Sequence, residues 1–146
     1  MNLRRSMVLV GVFIIALGLS GCGTSELPDN VQNVVWEWID LVETEPASQS
    51  LIPVSANYTI AFLEDNQVSI RADCNMVQGS YAYDGTALTI ELGASTMAFC
   101  GEDSLDNLFL TLLSQVGSYE KQGGRLNLIS VSETITMGFK DGGAVE

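Results

Sequence analysis

The chain has 146 residues, 6 of them basic and 18 acidic, with a formal net charge of −12 at neutral pH. So acidic a surface repels nucleic acid and anionic lipid headgroups, and no nucleic-acid partner is expected. No histidine is present, which excludes His-based triads, Cys–His dyads and His-containing zinc sites together.

The chain opens with Arg4 and Arg5, followed by an apolar run over residues 7–19. That run is shorter than the roughly 20 residues a membrane-crossing helix needs. A basic flank, a short apolar stretch and small closing residues are the layout of a secretory signal, here residues 1–21. Its last letters, Leu19-Ser20-Gly21-Cys22, resemble a bacterial lipobox. The resemblance implies that Cys22 is lipidated and becomes the first mature residue. Two or more acyl chains hold a protein firmly, at about 0.8 kcal/mol per buried CH₂. The expected location is therefore the cell envelope, with the chain anchored in a membrane by its N-terminal lipid and facing the periplasm or the exterior. Removing 21 residues leaves 125, with four basic residues against eighteen acidic and a net charge of −14.

Residues 22–33 are polar, contain Pro28 and show no period, and read as a tether. The domain then extends over 34–141, with 142–146 as a tail. In "VVWEWIDLVE" Trp36 and Trp38 share one face of a strand. Residues 44–56 form a polar, proline-bounded loop. In "NYTIAFLEDNQVSIRAD" two alternating runs flank a four-residue turn: Tyr58, Ile60 and Phe62 on one strand, Val68, Ile70 and Ala72 on the return. A second hairpin turns at Asp84-Gly85 between Tyr81, Tyr83 and Leu88, Ile90, Leu92. After an aperiodic stretch, Leu105, Leu108, Phe109, Leu112, Leu113 and Val116 recur at helical spacing, with Ser104 as N-cap and Gly117 as stop. Alternation then resumes in "SYEKQ", "RLNLIS" and "TITMGFK". The expected fold is α+β and mostly antiparallel β: a strongly bent sheet or incomplete barrel of seven or eight strands with one amphipathic helix.

Cys74 and Cys100 cannot supply the four thiolates of a zinc site. Outside the cytoplasm, such a pair in a small domain is expected to form a disulfide. A loop of this length contributes about 3–4 kcal/mol through chain entropy. A redox role would want a close Cys-x-x-Cys pair instead. Other residues carry two readings each. Trp36 and Trp38 could form a stacking shelf for a sugar or peptide, or could simply fill the core. Asn75 could bind a ligand or fix a turn. Glu102, Asp103, Asp106 and Asn107 could offer oxygens to calcium, but match no EF-hand spacing and suit a helix N-terminus. Carboxylate pairs could hydrolyse a glycoside, yet eighteen acids make some pair inevitable. The expectation is no metal, no cofactor, no catalytic residue and no enzymatic activity.

The ordered set Trp36-x-Trp38, Asp73-Cys74-Asn75, Gly79-Ser80-Tyr81, Asp84-Gly85, Leu88-x-Ile90 and Ser95-Thr96-Met97-Ala98-Phe99-Cys100 resembles the META domain, the family of HslJ-type lipoproteins. The similarity continues through the helix, Tyr119, "GGRLNL" and the final "TMGF". Asp73 stands where many members have Gly. The resemblance implies a small exported β-rich domain that is not an enzyme, with roles in stress or antibiotic tolerance. It also implies a fold similar to lipoprotein pilots, which chaperone an envelope protein partner.

Overall fold

The computed structural model describes residues 25–146. The signal segment 1–21 and Cys22 lie outside the described residues. Among these residues nine strands and one α-helix follow in chain order: β1 (Val34–Thr44), β2 (Ala47–Leu51), β3 (Tyr58–Phe62), β4 (Gln67–Ala72), β5 (Asn75–Tyr83), β6 (Leu88–Ser95), α1 (Asp106–Leu113), β7 (Val116–Gln122), β8 (Arg125–Ser130) and β9 (Ile135–Ala144). Eight strands pair in the order β6-β5-β4-β3-β1-β9-β8-β7, and β2 pairs with β1 beside that path. All strand pairs are antiparallel. The sheet curls into a half-barrel whose end strands, β6 and β7, are not hydrogen-bonded to each other. Tyr83 and Tyr119 pack across that seam, their ring centroids 5.5 Å apart.

The period of two explains this architecture. Tyr58 pairs with Ala72, Ile60 with Ile70 and Phe62 with Val68, and all six side chains are buried. Burial of one alternating face against a curled sheet fixes the register, because a one-residue slip would turn every apolar side chain outward. The ninth strand is the one that periodicity misses. β2 is exposed along its whole length, so it has no apolar face to reveal it and forms by hairpin pairing alone.

The helix closes one mouth of the half-barrel. Phe109 and Leu113 on α1 are fully buried. Phe109 stacks on Trp38 at 5.1 Å and meets Tyr58 edge-on at 5.7 Å. Ser104 Oγ accepts the N–H of Asp106, while the N–H of Leu105 goes to the Tyr58 hydroxyl at 2.9 Å. Gly117 does not stop the helix, which ends at Leu113. It sits in the irregular part of β7, where a Cβ would meet the Val131 backbone at 2.9 Å. Close approach, rather than helix termination, accounts for that glycine.

The opposite mouth is closed by residues assigned above to a tether. Leu27 and Val31 are 2% and 1% exposed. The Val31 carbonyl accepts the Trp36 indole N–H at 3.0 Å, and Asn33 N–H reaches the Phe62 carbonyl at 2.8 Å. Two apolar residues four apart in a polar string make a single turn that plugs the barrel end, so no tether extends past Glu26. The boundary at 34 is corrected accordingly. The tail is corrected too: β9 continues through Ala144, which pairs with Val34, and the Val145 N–H bonds the Asn33 carbonyl.

Candidate functional site

Residues 96–105 run from the edge strand β6 to the helix without regular structure, and one side chain organises them. Asn75, the first residue of β5, is 5% exposed. Its Oδ1 accepts the Ala98 N–H at 2.7 Å and the Thr96 hydroxyl at 3.2 Å. Its Nδ2 donates to the Ala98 carbonyl at 3.0 Å and to Asp106 Oδ2 at 3.3 Å. A side-chain amide thus pairs both backbone groups of Ala98 as a neighbouring strand would. The Thr96 N–H adds a bond to the Met76 carbonyl at 3.0 Å. Two residues further on, a disulfide joins Cys74 to Cys100 with their Cα atoms 5.6 Å apart.

This clamp holds an unusual cargo. Met97 and Phe99, on either side of the pinned Ala98, are 94% and 85% exposed. Two such apolar side chains on one braced loop lose their hydration only when something covers them. Beside them lies a recess of about 470 Å³, lined by Met97, Phe99 and Leu110 on its apolar side and by Asn75, Glu102 and Asp106 on its polar side. A second cleft of about 390 Å³ lies across Cys100, between Val54, Tyr58 and Asp73 and the stretch 101–105. Asp73 has φ +58°, the left-handed region that favours glycine. Its carboxylate offsets that cost by accepting from Asn57 Nδ2 at 3.2 Å and the Tyr58 hydroxyl at 3.4 Å.

The other candidates fall differently. Trp36 and Trp38 are fully buried, and each indole N–H is bonded to a backbone carbonyl. Neither offers a stacking shelf; both sit on the inward face of β1, where a curled sheet needs its largest apolar area. Asn75 is likewise not a binding group, because its amide is already engaged on both sides by the loop. Glu102, Asp103 and Asp106 do not converge. Asp106 Oδ1 accepts the Asn107 N–H at 2.8 Å and Oδ2 faces Asn75. Among the described residues, no three acidic or thiol side chains are grouped to hold a metal ion.

Displaced proton affinities serve the fold. Hydrogen bonds from Lys140 and Ser55 hold Glu37 below the usual carboxylate range, and backbone N–H groups of Ala87 and Thr86 do so for Asp84 in its turn. Burial pushes Tyr119 up to about 12, with the Tyr83 hydroxyl adding to the effect across the seam. Burial also raises Tyr81, whose hydroxyl accepts from Gln32 at the opposite mouth. Met97 and Phe99 are the residues that sequence reasoning passed over. Their signal was two large apolar letters in a stretch with no burial period, two steps apart and next to a cysteine.

Comparisons with known proteins agree with this architecture. A DUF4847 family protein from Bacteroides vulgatus is similar, with a TM-score of 0.59 at 12% identity, over 75% of this chain and 93% of that one. A protein from Burkholderia xenovorans solved by NMR gives a TM-score of 0.61 at 16% identity, over 82% and 94%. Likeness at such identities concerns the fold alone. No curated protein matches the chain. The META domain model matches residues 29–141, a span that takes in the plugging turn at Val31, the Asn75 clamp and the disulfide, and the chain belongs to the META domain family.

Proposed function

We propose that this chain is a lipid-anchored extracytoplasmic lipoprotein acting as a non-catalytic binding or chaperone-like module of the cell envelope. The observation that carries the reading is the clamped loop. A disulfide and a buried amide brace a backbone whose outward side chains are Met97 and Phe99. A braced loop backbone favours binding, since little loop freedom remains to be lost on contact. A disulfide suits maturation outside the cytoplasm, which accords with the lipobox-like stretch ending at Cys22.

A filled interior argues against a ligand inside the barrel. Trp36, Phe62 and Phe109 are all fully buried in one continuous core. That same packing supports a second reading, a structural envelope protein that binds nothing. Cell fractionation tests the anchored reading. The wild-type chain is expected in membranes with acyl label at Cys22, and Cys22→Ala is expected in the soluble fraction. Unchanged membrane association of Cys22→Ala would refute it. Substrate turnover by the mature chain, abolished by replacing a carboxylate pair, would overturn the non-catalytic part.

A further inference from the structure

We infer that the Met97–Phe99 loop is the contact point for a protein partner presenting an apolar segment flanked by Lys or Arg, on the side of the domain turned away from its own membrane. The inference rests on the anchored reading for its orientation and on the loop itself for its chemistry.

Orientation follows from the length of chain outside the described fold. Leu27 is the first residue committed to the core. If Cys22 carries the lipid, five peptide steps separate the two, a reach of about 17 Å at full extension. Ser25 lies against the β5–β6 turn, its Oγ 3.6 Å from where a Cβ on Gly85 would stand. The leash therefore leaves at the Tyr83–Leu88 end of these two strands. Met97 and Phe99 follow the other end of β6, eight residues along. At about 3.3 Å per residue β6 is roughly 25 Å long, so the loop lies at the opposite end of the strand from the leash. With an acylated Cys22 the leash enters at the end of the strand away from the loop, which favours a partner other than the anchoring bilayer as its cover.

Charge selects the remaining occupant. The recess beside Met97 and Phe99 is bordered by Glu102 and Asp106, with no basic residue in its lining, and Asp103 stands next along the chain. Acidic groups there repel phosphate headgroups and also repel a second copy carrying the same patch. They attract a cationic rim. An apolar centre inside a charge-matched border is the pattern of a protein contact surface.

A photoreactive amino acid placed separately at Phe99 and at Thr86 of the acylated full-length chain, in native envelopes, tests this. Expected from position 99 are adducts to a different protein, whose contact peptide combines apolar residues with Lys or Arg. The double change Glu102→Lys and Asp103→Lys, at exposed positions, should lower that yield about tenfold, whereas Glu91→Lys on β6 should not. Position 86 should label lipid. Lipid adducts, self-adducts or no adducts at position 99 would overturn the inference, as would yields indifferent to the charge reversal. Failure of the anchor alone reads differently: position 86 labels no lipid and Cys22 stays unmodified, while the outcome at position 99 still decides the partner.

Discussion

Replacing Asn75 by Asp probes the clamp with almost no change of shape. The carboxylate still accepts from the Ala98 N–H and the Thr96 hydroxyl. It can no longer donate to the Ala98 carbonyl, and it faces Asp106 Oδ2 across 3.3 Å. Two unit charges at that distance repel by about 5 kcal/mol at an effective dielectric of ~20 and by about 1 kcal/mol in bulk water. Position 75 is buried while Asp106 is only half-buried, so the expected destabilisation at neutral pH is about 2–4 kcal/mol, the lost donor bond included. Asn75→Ala should cost less, about 1–2 kcal/mol, because water can reach the exposed Ala98 groups. Repulsion raises the folded-state pKa of the new carboxyl above its unfolded value of about 3.9. The penalty is therefore full above the folded pKa and fades as pH falls toward the unfolded one, where a protonated carboxyl can donate again. Urea unfolding of Asn75→Asp against wild type, at about pH 7 and about pH 4, measures this, with Asp106→Asn added to relieve the repulsion. Wild-type stability for Asn75→Asp would refute the reasoning. So would a deficit that neither acid nor Asp106→Asn reduces.

Removal of the disulfide by Cys74→Ser with Cys100→Ser frees a loop closed across 26 residues, and should lower unfolding free energy by about 3.5 kcal/mol in urea melts. Gly138→Ala would place a methyl group against Arg125 Nη2 and Asp40 Oδ1, and so break their 2.8 Å ion pair. Because the Asp40 side chain is 9% exposed, the stranded carboxylate should cost about 2–4 kcal/mol by chemical denaturation. Tyr119, pushed up to about 12, ionises in the unfolded chain near 10. Its neutral form thus contributes stability that is whole below about 10 and lost as pH climbs toward 12. A tyrosinate absorbance titration should show a late component that Tyr119→Phe removes.

Most of the half-barrel was legible because its strands bury one face. Tyr58, Ile60 and Phe62 against Val68, Ile70 and Ala72 read as a hairpin and pair in that register. The helix was legible from the spacing of Phe109, Leu112 and Leu113, although it ends before Val116. What escaped lacked a period. β2 buries nothing, and Leu27 with Val31 gives too short a pattern to mark a plug. The site was half visible. Cys74, Asn75 and Cys100 stood out by type, but an amide's partners are set by tertiary contact and cannot be read from spacing. Met97 and Phe99 lay in a stretch with no period, and only the tertiary clamp on Ala98 shows that both side chains turn outward.

Export, acylation and oxidation of one chain are read together by the intact mass of the protein extracted from host membranes. A polypeptide beginning at Cys22, heavier by its acyl groups and lighter by the two hydrogens lost between Cys74 and Cys100, is the expected result. A chain still beginning at Met1, unacylated and with three free thiols, would contradict it.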